Sequence, residues 1–267
     1  MAVSRVPVWT ELDMDEVGDK AKVVAFDLDN TLARSKRPMS AEMARRIAAL
    51  TRLIPVAIIT GGRFELVDIQ VLSMLDASAN RGNMHLMPTS GTRYYRWNGS
   101  EWHREYAYDL SAHDRQAVIA AFERHAREQG LWAEHAWGER IEDRGSQITF
   151  SALGQEAPIE EKEAWDPDNA KKNVLAATLA AEFPHLAVHS GGATSVDVSR
   201  RGVDKAYAIN RLAAMLDVPV NAIVYIGDRM DPDGNDYPAA MAGTIAIRVS
   251  GPHDTLKVCD ELIARLS

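Results

Sequence analysis

Two aspartates, Asp27 and Asp29, stand two residues apart directly after a run of four apolar residues, Val23–Phe26. An apolar run of this length is typical of a buried strand. In an open α/β sheet, the residues just past the carboxyl end of a strand lie in the crevice where ligands bind. We therefore expect Asp27 at the tip of a strand and Asp29 on the following loop. An Asp-x-Asp-Asn stretch is also ordinary turn chemistry, so the pair alone leaves both interpretations open.

Three later segments also carry a polar residue at the end or the start of a predicted element. Two more apolar runs predict strands that end at Thr60 and at Asp228, and Lys205 opens a helical pattern. Transfer of a phosphoryl group needs a nucleophile, neutralisation of the negative oxygens and a proton for the leaving oxygen. Carboxylates, a hydroxyl and an ammonium group together meet those needs.

The composition limits the class of protein. At 267 residues the chain can bury a substantial core in one large domain or two modest ones. Its 38 acidic and 30 basic residues give a formal net charge of −8, which disfavours nucleic acid as a partner. The single cysteine, Cys259, rules out an internal disulfide and fits a reducing cytosol. Because no signal peptide or membrane-spanning run is found either, we expect a soluble cytoplasmic protein that binds neither nucleic acid nor membrane.

In chain order, the four segments carry the pair Asp27 and Asp29, then Thr60, then Lys205 and then Asp228, and this ordered set resembles the signatures of the haloacid-dehalogenase-like phosphotransferases. Asp27 is then the nucleophile, because a carboxylate can form an acyl phosphate and so divide one difficult displacement into two easier ones. Asp29 is the general acid and base, with a turn-stabilising role as its alternative. Thr60, helped by backbone N–H groups at Gly61, would hold a phosphoryl oxygen, and Lys205 would neutralise the phosphoryl charge and that of Asp27. The alternatives for these two residues are an ordinary strand-end threonine and a surface lysine.

The acidic residues of the same segments predict a cation. Asp27, Asp29, Asp228 and Asp236 would converge on a small volume, where unpaired charges would raise at least one carboxyl pKa. A hard divalent cation is expected there, and ligation by oxygen alone indicates Mg²⁺. Asp27 and Asp228 would bind it through their side chains, Asp29 through its backbone carbonyl by the family resemblance, and Asp236 is a further candidate ligand. Two other acids of the last loop are interpreted as solvated turn residues: Asp231 and Asp233.

The middle of the chain follows a different pattern from its two ends. Asn98-Gly99 is a strong hairpin signal, and the strands and helices after it predict an antiparallel α+β layer. We therefore expect an α/β fold in which a Rossmann-like parallel-sheet core, residues 1–92 and 200–267, carries an inserted α+β cap domain, residues 93–199. Aromatic residues of the hairpin could form a sugar-stacking face or a dimer contact, with packing in the cap core as the preferred interpretation, so a homodimer stays open.

The inserted cap narrows the resemblance to the eukaryotic type of phosphomannomutase. The passages that carry it are residues 144–154, 191–198 and 227–236. Together with the aspartate signature and the Gly-Gly-Arg-Phe-Glu after Thr60, they extend the similarity over nearly the whole chain after residue 20. In that family, the residues matching Arg144, Ser195 and Asp197 contact the sugar phosphate. The resemblance therefore implies a small phosphorylated substrate bound by these three side chains.

Several positions depart from the pattern of that family. Gln155 and Lys162 stand where the family has arginines, and Lys36, a further candidate for substrate binding, also replaces an arginine. Neither glutamine nor lysine reproduces the bidentate fork with which arginine binds phosphate. In addition, Asn30 replaces a glycine of the mutases, and Thr60 is the residue that phosphatases of the superfamily commonly have. A mutase must hold a second phosphate at the far end of its substrate, so these changes weaken the mutase interpretation.

The sequence therefore predicts a Mg²⁺-dependent phosphatase that hydrolyses a sugar phosphate or a similar small ester through an aspartyl-phosphate intermediate. A hexose-phosphate mutase of the phosphomannomutase kind is the alternative. A sugar-phosphate sensor without turnover is disfavoured, because a binding module would not need both a nucleophile and a proton donor.

Overall fold

The computed structural model describes residues 5–190, 193–232 and 234–267, and the chain divides into two units. The first unit contains the described residues up to Ala107 and those from Asp204 onward, and the second is Tyr108–Val203. The strands, in chain order, are β1 (Val23–Phe26), β2 (Val56–Ile59), β3 (Met84–Met87), β4 (Arg93–Trp97), β5 (Trp102–Ala107), β6 (Ile141–Asp143), β7 (Gln147–Ser151), β8 (Leu186–Ser190), β9 (Ser195–Arg200), β10 (Ile223–Gly227) and β11 (Ile245–Arg248). The α-helices are α1 (Met14–Lys20), α2 (Ala41–Leu53), α3 (Phe64–Gln70), α4 (Ala112–Glu128), α5 (Ile159–Trp165), α6 (Ala170–Glu182), α7 (Lys205–Leu216), α8 (Tyr237–Met241) and α9 (Pro252–Leu266).

The first unit is built on a seven-stranded sheet in the order β11-β10-β1-β2-β3-β4-β5. The pairs from β11 to β3 are parallel, and Phe26 lies opposite Ile58 on one side and Ile226 on the other. The carboxyl ends of β1, β2 and β10 therefore meet at one edge of the sheet. This confirms the predicted α/β fold and puts the residues that follow these three strands next to one another.

Helices cover both faces of this sheet, which explains why β1, β2, β3 and β10 are buried at every position. Two of these helices, α2 and α7, begin at side-chain caps that satisfy their first backbone N–H groups. The Ser40 hydroxyl accepts from the N–H of Met43 at the start of α2, and the Asp204 carboxylate accepts from the N–H of Tyr207 at the start of α7. Lys205 is thus the first residue of a capped helix, as the sequence predicts.

The predicted boundary between core and cap at residues 92 and 93 is wrong. The β4–β5 hairpin belongs to the first unit, because β4 pairs antiparallel with β3 and extends the same sheet. The ring of Tyr95 also stacks on that of Phe64, with 4.1 Å between the ring centroids. The turn is at the predicted place, with the Asn98 side chain accepting from the N–H groups of Ser100 and Glu101. Turn chemistry identified the hairpin but could not tell which sheet it joins.

The second unit is an antiparallel α+β layer with the strand order β6-β7-β9-β8. One face of its sheet packs against α4 and α6 through a buried apolar cluster that includes Phe122, Phe150, Leu179 and Val198. Because successive side chains alternate between faces, the residues between these apolar positions lie on the opposite face, which is polar. Within the described residues, no helix of either unit is long and apolar enough to cross a membrane.

Candidate active site

The carboxylates predicted at the strand ends converge in the first unit. Asp27 follows β1 directly, donates its backbone N–H to the carbonyl of Ile226 at 2.9 Å, and is buried. Asp228 follows β10 directly, and Asp236 ends the loop after it. Each of these three aspartates offers one carboxylate oxygen, and the three oxygens lie within 4.8 Å of one another.

Lys205 reaches this acidic cluster from the start of α7. Its ammonium group contacts Oδ1 of Asp27 and lies 2.6 Å from Oδ1 of Asp236, and its side chain is 2% exposed. The surface interpretation of this lysine is therefore wrong. Because a lysine is rarely buried without a partner, the two ion pairs explain how the fold tolerates it.

Burial and local charge shift the pKa values of the cluster. The pKa of Asp27 is raised to about 7: burial and the charge of Asp236 raise it, and Lys205 opposes the rise. Burial alone would lower the pKa of Lys205, but the carboxylates of Asp236 and Asp27 raise it above its ordinary value. Burial and Asp236 also raise the pKa of Asp228. The cluster thus carries more negative charge than one ammonium group neutralises, and its all-oxygen donor set fits a hard divalent cation.

The loop between Asp228 and Asp236 is tight because two glycines allow it. A Cβ atom on Gly227 would lie 2.5 Å from the carboxylate carbon of Asp236, so a side chain there would displace that residue. A Cβ atom on Gly234 would lie 2.0 Å from the carbonyl oxygen of Arg229. Asp231 is exposed and pairs with Arg229 at 3.0 Å, which agrees with the turn interpretation, and Asp233 lies outside the described residues.

Asp29 lies on the loop after β1, as predicted. Its Oδ1 accepts from the backbone N–H of Lys36 at 2.8 Å and from the side-chain amide of Gln70 at 3.2 Å. The same amide of Gln70 donates to the carbonyl of Arg37 at 3.1 Å, so this side chain fixes the loop at two points. Sequence reasoning missed Gln70, because nothing in the pattern of α3 indicates which loop its last residue contacts. The exposed Lys36 has a left-handed backbone conformation, with φ of 56°.

Thr60 follows β2 at the same sheet edge and is buried. Its hydroxyl oxygen accepts from the backbone N–H of Gly62 at 3.1 Å. Since a hydroxyl group both accepts and donates, this bond leaves the hydrogen of Thr60 able to donate to a phosphoryl oxygen. Gly61, between the two, is half-buried.

The predicted substrate residues of the second unit share the polar face of its sheet. Asp197 and Ser195 alternate along β9 with the buried Val196 and Val198, and Asp197 accepts from the hydroxyl of Thr149 at 2.6 Å. Arg144 follows β6, and its guanidinium lies 2.6 Å from Glu142 in an ion pair whose side chains are 11% and 13% exposed. The roles of these three residues stay predictions.

Two of the three positions that replace family arginines, Gln155 and Lys162, contact each other. The Lys162 ammonium donates to the backbone carbonyl of Gln155 at 3.0 Å. The ammonium group of Lys162 therefore bonds to a neutral carbonyl oxygen of the second unit.

Comparisons with known proteins agree with this arrangement. A family model described as "Eukaryotic phosphomannomutase" matches residues 103–265, which is more than half of the chain. The chain belongs to the eukaryotic phosphomannomutase family. Its relatives include the phosphomannomutase of Spinacia oleracea, 26% identical over 91% of this chain and 96% of the relative. The phosphomannomutase of Saccharomyces cerevisiae is 27% identical over 90% of this chain and 93% of its own.

Solved structures share the fold of this family member at lower identity. The IMP-nucleotidase of Plasmodium falciparum matches with a TM-score of 0.69 and 17% identity over 93% of this chain and 71% of that one. The trehalose-6-phosphate phosphatase of Aspergillus fumigatus matches with a TM-score of 0.59 and 14% identity, over 97% and 100% of the two chains. The family and the fold together make the protein a phosphotransferase of the haloacid-dehalogenase-like superfamily.

Proposed function

We propose that the protein is a hexose-phosphate mutase of the phosphomannomutase kind. The buried contact between Lys205 and Asp27, at a sheet edge shared with Asp228 and Thr60, supports phosphoryl transfer through Asp27. The choice of a mutase over a phosphatase reverses the order reached from the sequence. It rests on the family match and on relatives named phosphomannomutase that align over about nine-tenths of this chain.

In the first half-reaction, a carboxylate oxygen of Asp27 attacks one phosphorus of a hexose bisphosphate, and the bond from that phosphorus to the sugar oxygen breaks as the aspartyl phosphate and a sugar monophosphate form. Asp29 gives a proton to the departing sugar oxygen. The Thr60 hydroxyl and the Lys205 ammonium donate to the phosphoryl oxygens. A Mg²⁺ ion held by Asp27 and Asp228, when bound, would neutralise further phosphoryl charge.

In the second half-reaction, the free hydroxyl of a sugar monophosphate attacks the phosphorus of the aspartyl phosphate, Asp29 takes its proton, and a hexose bisphosphate forms. The bond to Asp27 breaks, which regenerates the carboxylate. Arg144, Ser195 and Asp197 would bind the sugar phosphate, with the guanidinium of Arg144 suited to a phosphate and the polar side chains suited to hydroxyls.

A phosphatase is the second candidate, and the pair Gln155 and Lys162 favours it. A mutase needs its acceptor to be a phosphorylated sugar held in either orientation, whereas a phosphatase needs only water. With glutamine and a carbonyl-bound lysine in place of two arginine forks, the second phosphate would be held less firmly.

One experiment separates the two functions. Protein with Mg²⁺ is incubated with mannose 1-phosphate, mannose 6-phosphate and the glucose equivalents, with and without a trace of hexose 1,6-bisphosphate, and followed by phosphorus NMR. We expect bisphosphate-dependent interconversion of the isomers, absent in Asp27→Asn. Free phosphate without interconversion would contradict the mutase proposal and establish the phosphatase.

Substitutions in the second unit then test the specific role of the altered positions. Gln155→Arg and Lys162→Arg, singly and together, should raise the ratio of isomerisation to free phosphate if these positions hold the second phosphate. A ratio that does not change in the double variant would show that they do not.

A further inference from the structure

Asp236 accepts three hydrogen bonds although it is completely buried. Its Oδ1 accepts from the Lys205 ammonium at 2.6 Å and from the Tyr225 hydroxyl at 2.5 Å. Its Oδ2 accepts from the backbone N–H of Arg229 at 3.0 Å. A carboxylate oxygen has two lone pairs, so both lone pairs of Oδ1 are occupied, while Oδ2 keeps one.

The Tyr225 hydroxyl has a fixed position. Tyr225 lies in the middle of β10, opposite Ala25 of β1, and is completely buried in the apolar cluster that includes Ile209 of α7 and Ala239 of α8. Packing on all sides holds the ring, and a buried phenol needs a polar partner. The chain thus places a neutral donor behind Asp236, on the oxygen that also binds Lys205.

We propose that Tyr225 is a positioning residue: its hydroxyl bonds Oδ1 of Asp236 so that this oxygen holds Lys205 against Asp27 and is not available to the cation. The proposal rests on the roles proposed above for Asp27 and Lys205. It also changes the predicted role of this oxygen of Asp236 from a cation ligand to the anchor of the lysine.

Removal of the Tyr225 hydroxyl would change how strongly the Lys205 ammonium is attracted to Asp236 relative to Asp27. Without the bond from Tyr225, Oδ1 of Asp236 carries more unneutralised charge and attracts the ammonium more strongly. Lys205 then moves away from Asp27, which loses the donor that orients it and that meets the incoming phosphoryl group. Oδ1 of Asp236 then has a free lone pair with which it can bind a cation. Substrate affinity should not change, because the hydroxyl does not touch the substrate.

Tyr225→Phe tests this with the ring, and hence the packing, retained. We expect kcat to fall about tenfold, equivalent to about 1.4 kcal/mol, with KM within about twofold of wild type. The matched control is Tyr94→Phe, which also loses a buried hydroxyl in the same sheet, bonded to His85 at 2.8 Å. The control should keep its kcat while losing stability.

A cation titration provides a readout that is independent of turnover. Calorimetric binding of Mn²⁺ to Tyr225→Phe should be as tight as to wild type or tighter, while kcat falls. If Tyr225 instead oriented Asp236 as a cation ligand, affinity and kcat would fall together, which would overturn the proposal. An unchanged kcat would overturn it as well.

The same titration separates this proposal from the proposed function. If wild-type protein turns over no sugar phosphate, the proposed function fails. The Mn²⁺ comparison then decides the role of Asp236 without a substrate: affinity kept in Tyr225→Phe supports an anchor, and a tenfold loss refutes it.

Discussion

Lys205→Met is the substitution with the largest expected effect on the stability of the first unit. Methionine has a similar length and keeps most of the packing, but it leaves the buried carboxylates of Asp27 and Asp236 without the cation that pairs them. Removal of one partner from a buried ion pair typically costs about 3–5 kcal/mol, because the remaining charge is buried and unpaired. We expect a loss of stability in this range at pH 8.

The loss of stability in Lys205→Met should become larger as the pH rises above 7. The pKa of Asp27 is raised to about 7 in the wild type, mainly by burial, and Lys205 opposes that rise. Without the lysine, the pKa of Asp27 rises further. An acid whose folded pKa lies above its unfolded value stabilises the fold at low pH, and that stability is lost as pH rises through the folded pKa. The wild-type contribution stops falling near pH 7, while that of the variant keeps falling above pH 7, by about 1.4 kcal/mol per pH unit for one proton.

Urea denaturation in EDTA between pH 6 and pH 9 measures both effects. The control is Lys257→Met, an exposed lysine 3.5 Å from Asp254, whose loss should stay within about 0.5 kcal/mol. The double variant Lys205→Met with Asp236→Asn should regain at least about 1 kcal/mol over the additive expectation, because one of the unpaired charges is gone. Additive losses, or a Lys205→Met deficit that is the same at pH 6 and pH 9, would refute the reasoning.

Three further predictions follow from buried titratable groups. Burial, together with the charge of Arg96, lowers the pKa of His85 to about 3, so below pH 6.5 the unfolded chain binds a proton that the folded chain does not. The free energy of unfolding should therefore fall by about 1.4 kcal/mol per pH unit below pH 6.5. Urea denaturation should show this slope in the wild type and not in His85→Gln. Burial raises the pKa of Cys259 to about 12, so the native protein should resist a thiol reagent at pH 8 and react only when unfolded, and rapid stoichiometric labelling of the native protein would contradict this. If Asp27 is a ligand of Mg²⁺, as proposed, its carboxyl group must ionise for the cation to bind, so the Mg²⁺ affinity measured by calorimetry should fall about tenfold per pH unit below pH 7, with a proton released on binding.

The part of the site that lies at strand ends could be predicted from the sequence. Asp27, Thr60 and Asp228 each follow a continuous apolar run, and parallel strands bring their carboxyl ends to one sheet edge. Lys205 could be assigned to a helix start because Asp204 is a strong N-cap residue. For these residues, a position at a strand end or a helix start, which the sequence pattern shows, is also a position at the active edge of the parallel sheet.

The residues that support this site could not be predicted. Tyr225 belongs to an apolar run and is counted there as a core residue, since its hydroxyl bond to Asp236 exists only in the folded sheet. Gln70 ends an ordinary amphipathic helix, and the loop that it fixes lies more than 30 residues earlier in the chain. The prediction that placed the β4–β5 hairpin in the cap was wrong for a similar reason, because an alternating pattern specifies a strand but not the strand that it pairs with.

The groups proposed for chemistry and those proposed for the choice of acceptor lie in different units of the chain. Asp27, Lys205 and Thr60 of the first unit would form and break the same bonds whether water or a sugar hydroxyl attacks the phosphorylated aspartate. In the proposed mechanism, holding a second phosphate depends instead on the second unit, where Gln155 and Lys162 stand at positions that the family resemblance gives to arginines. A complete phosphoryl-transfer cluster is therefore no argument for a mutase over a phosphatase, and substitutions at these two positions are the direct means of separating the two functions.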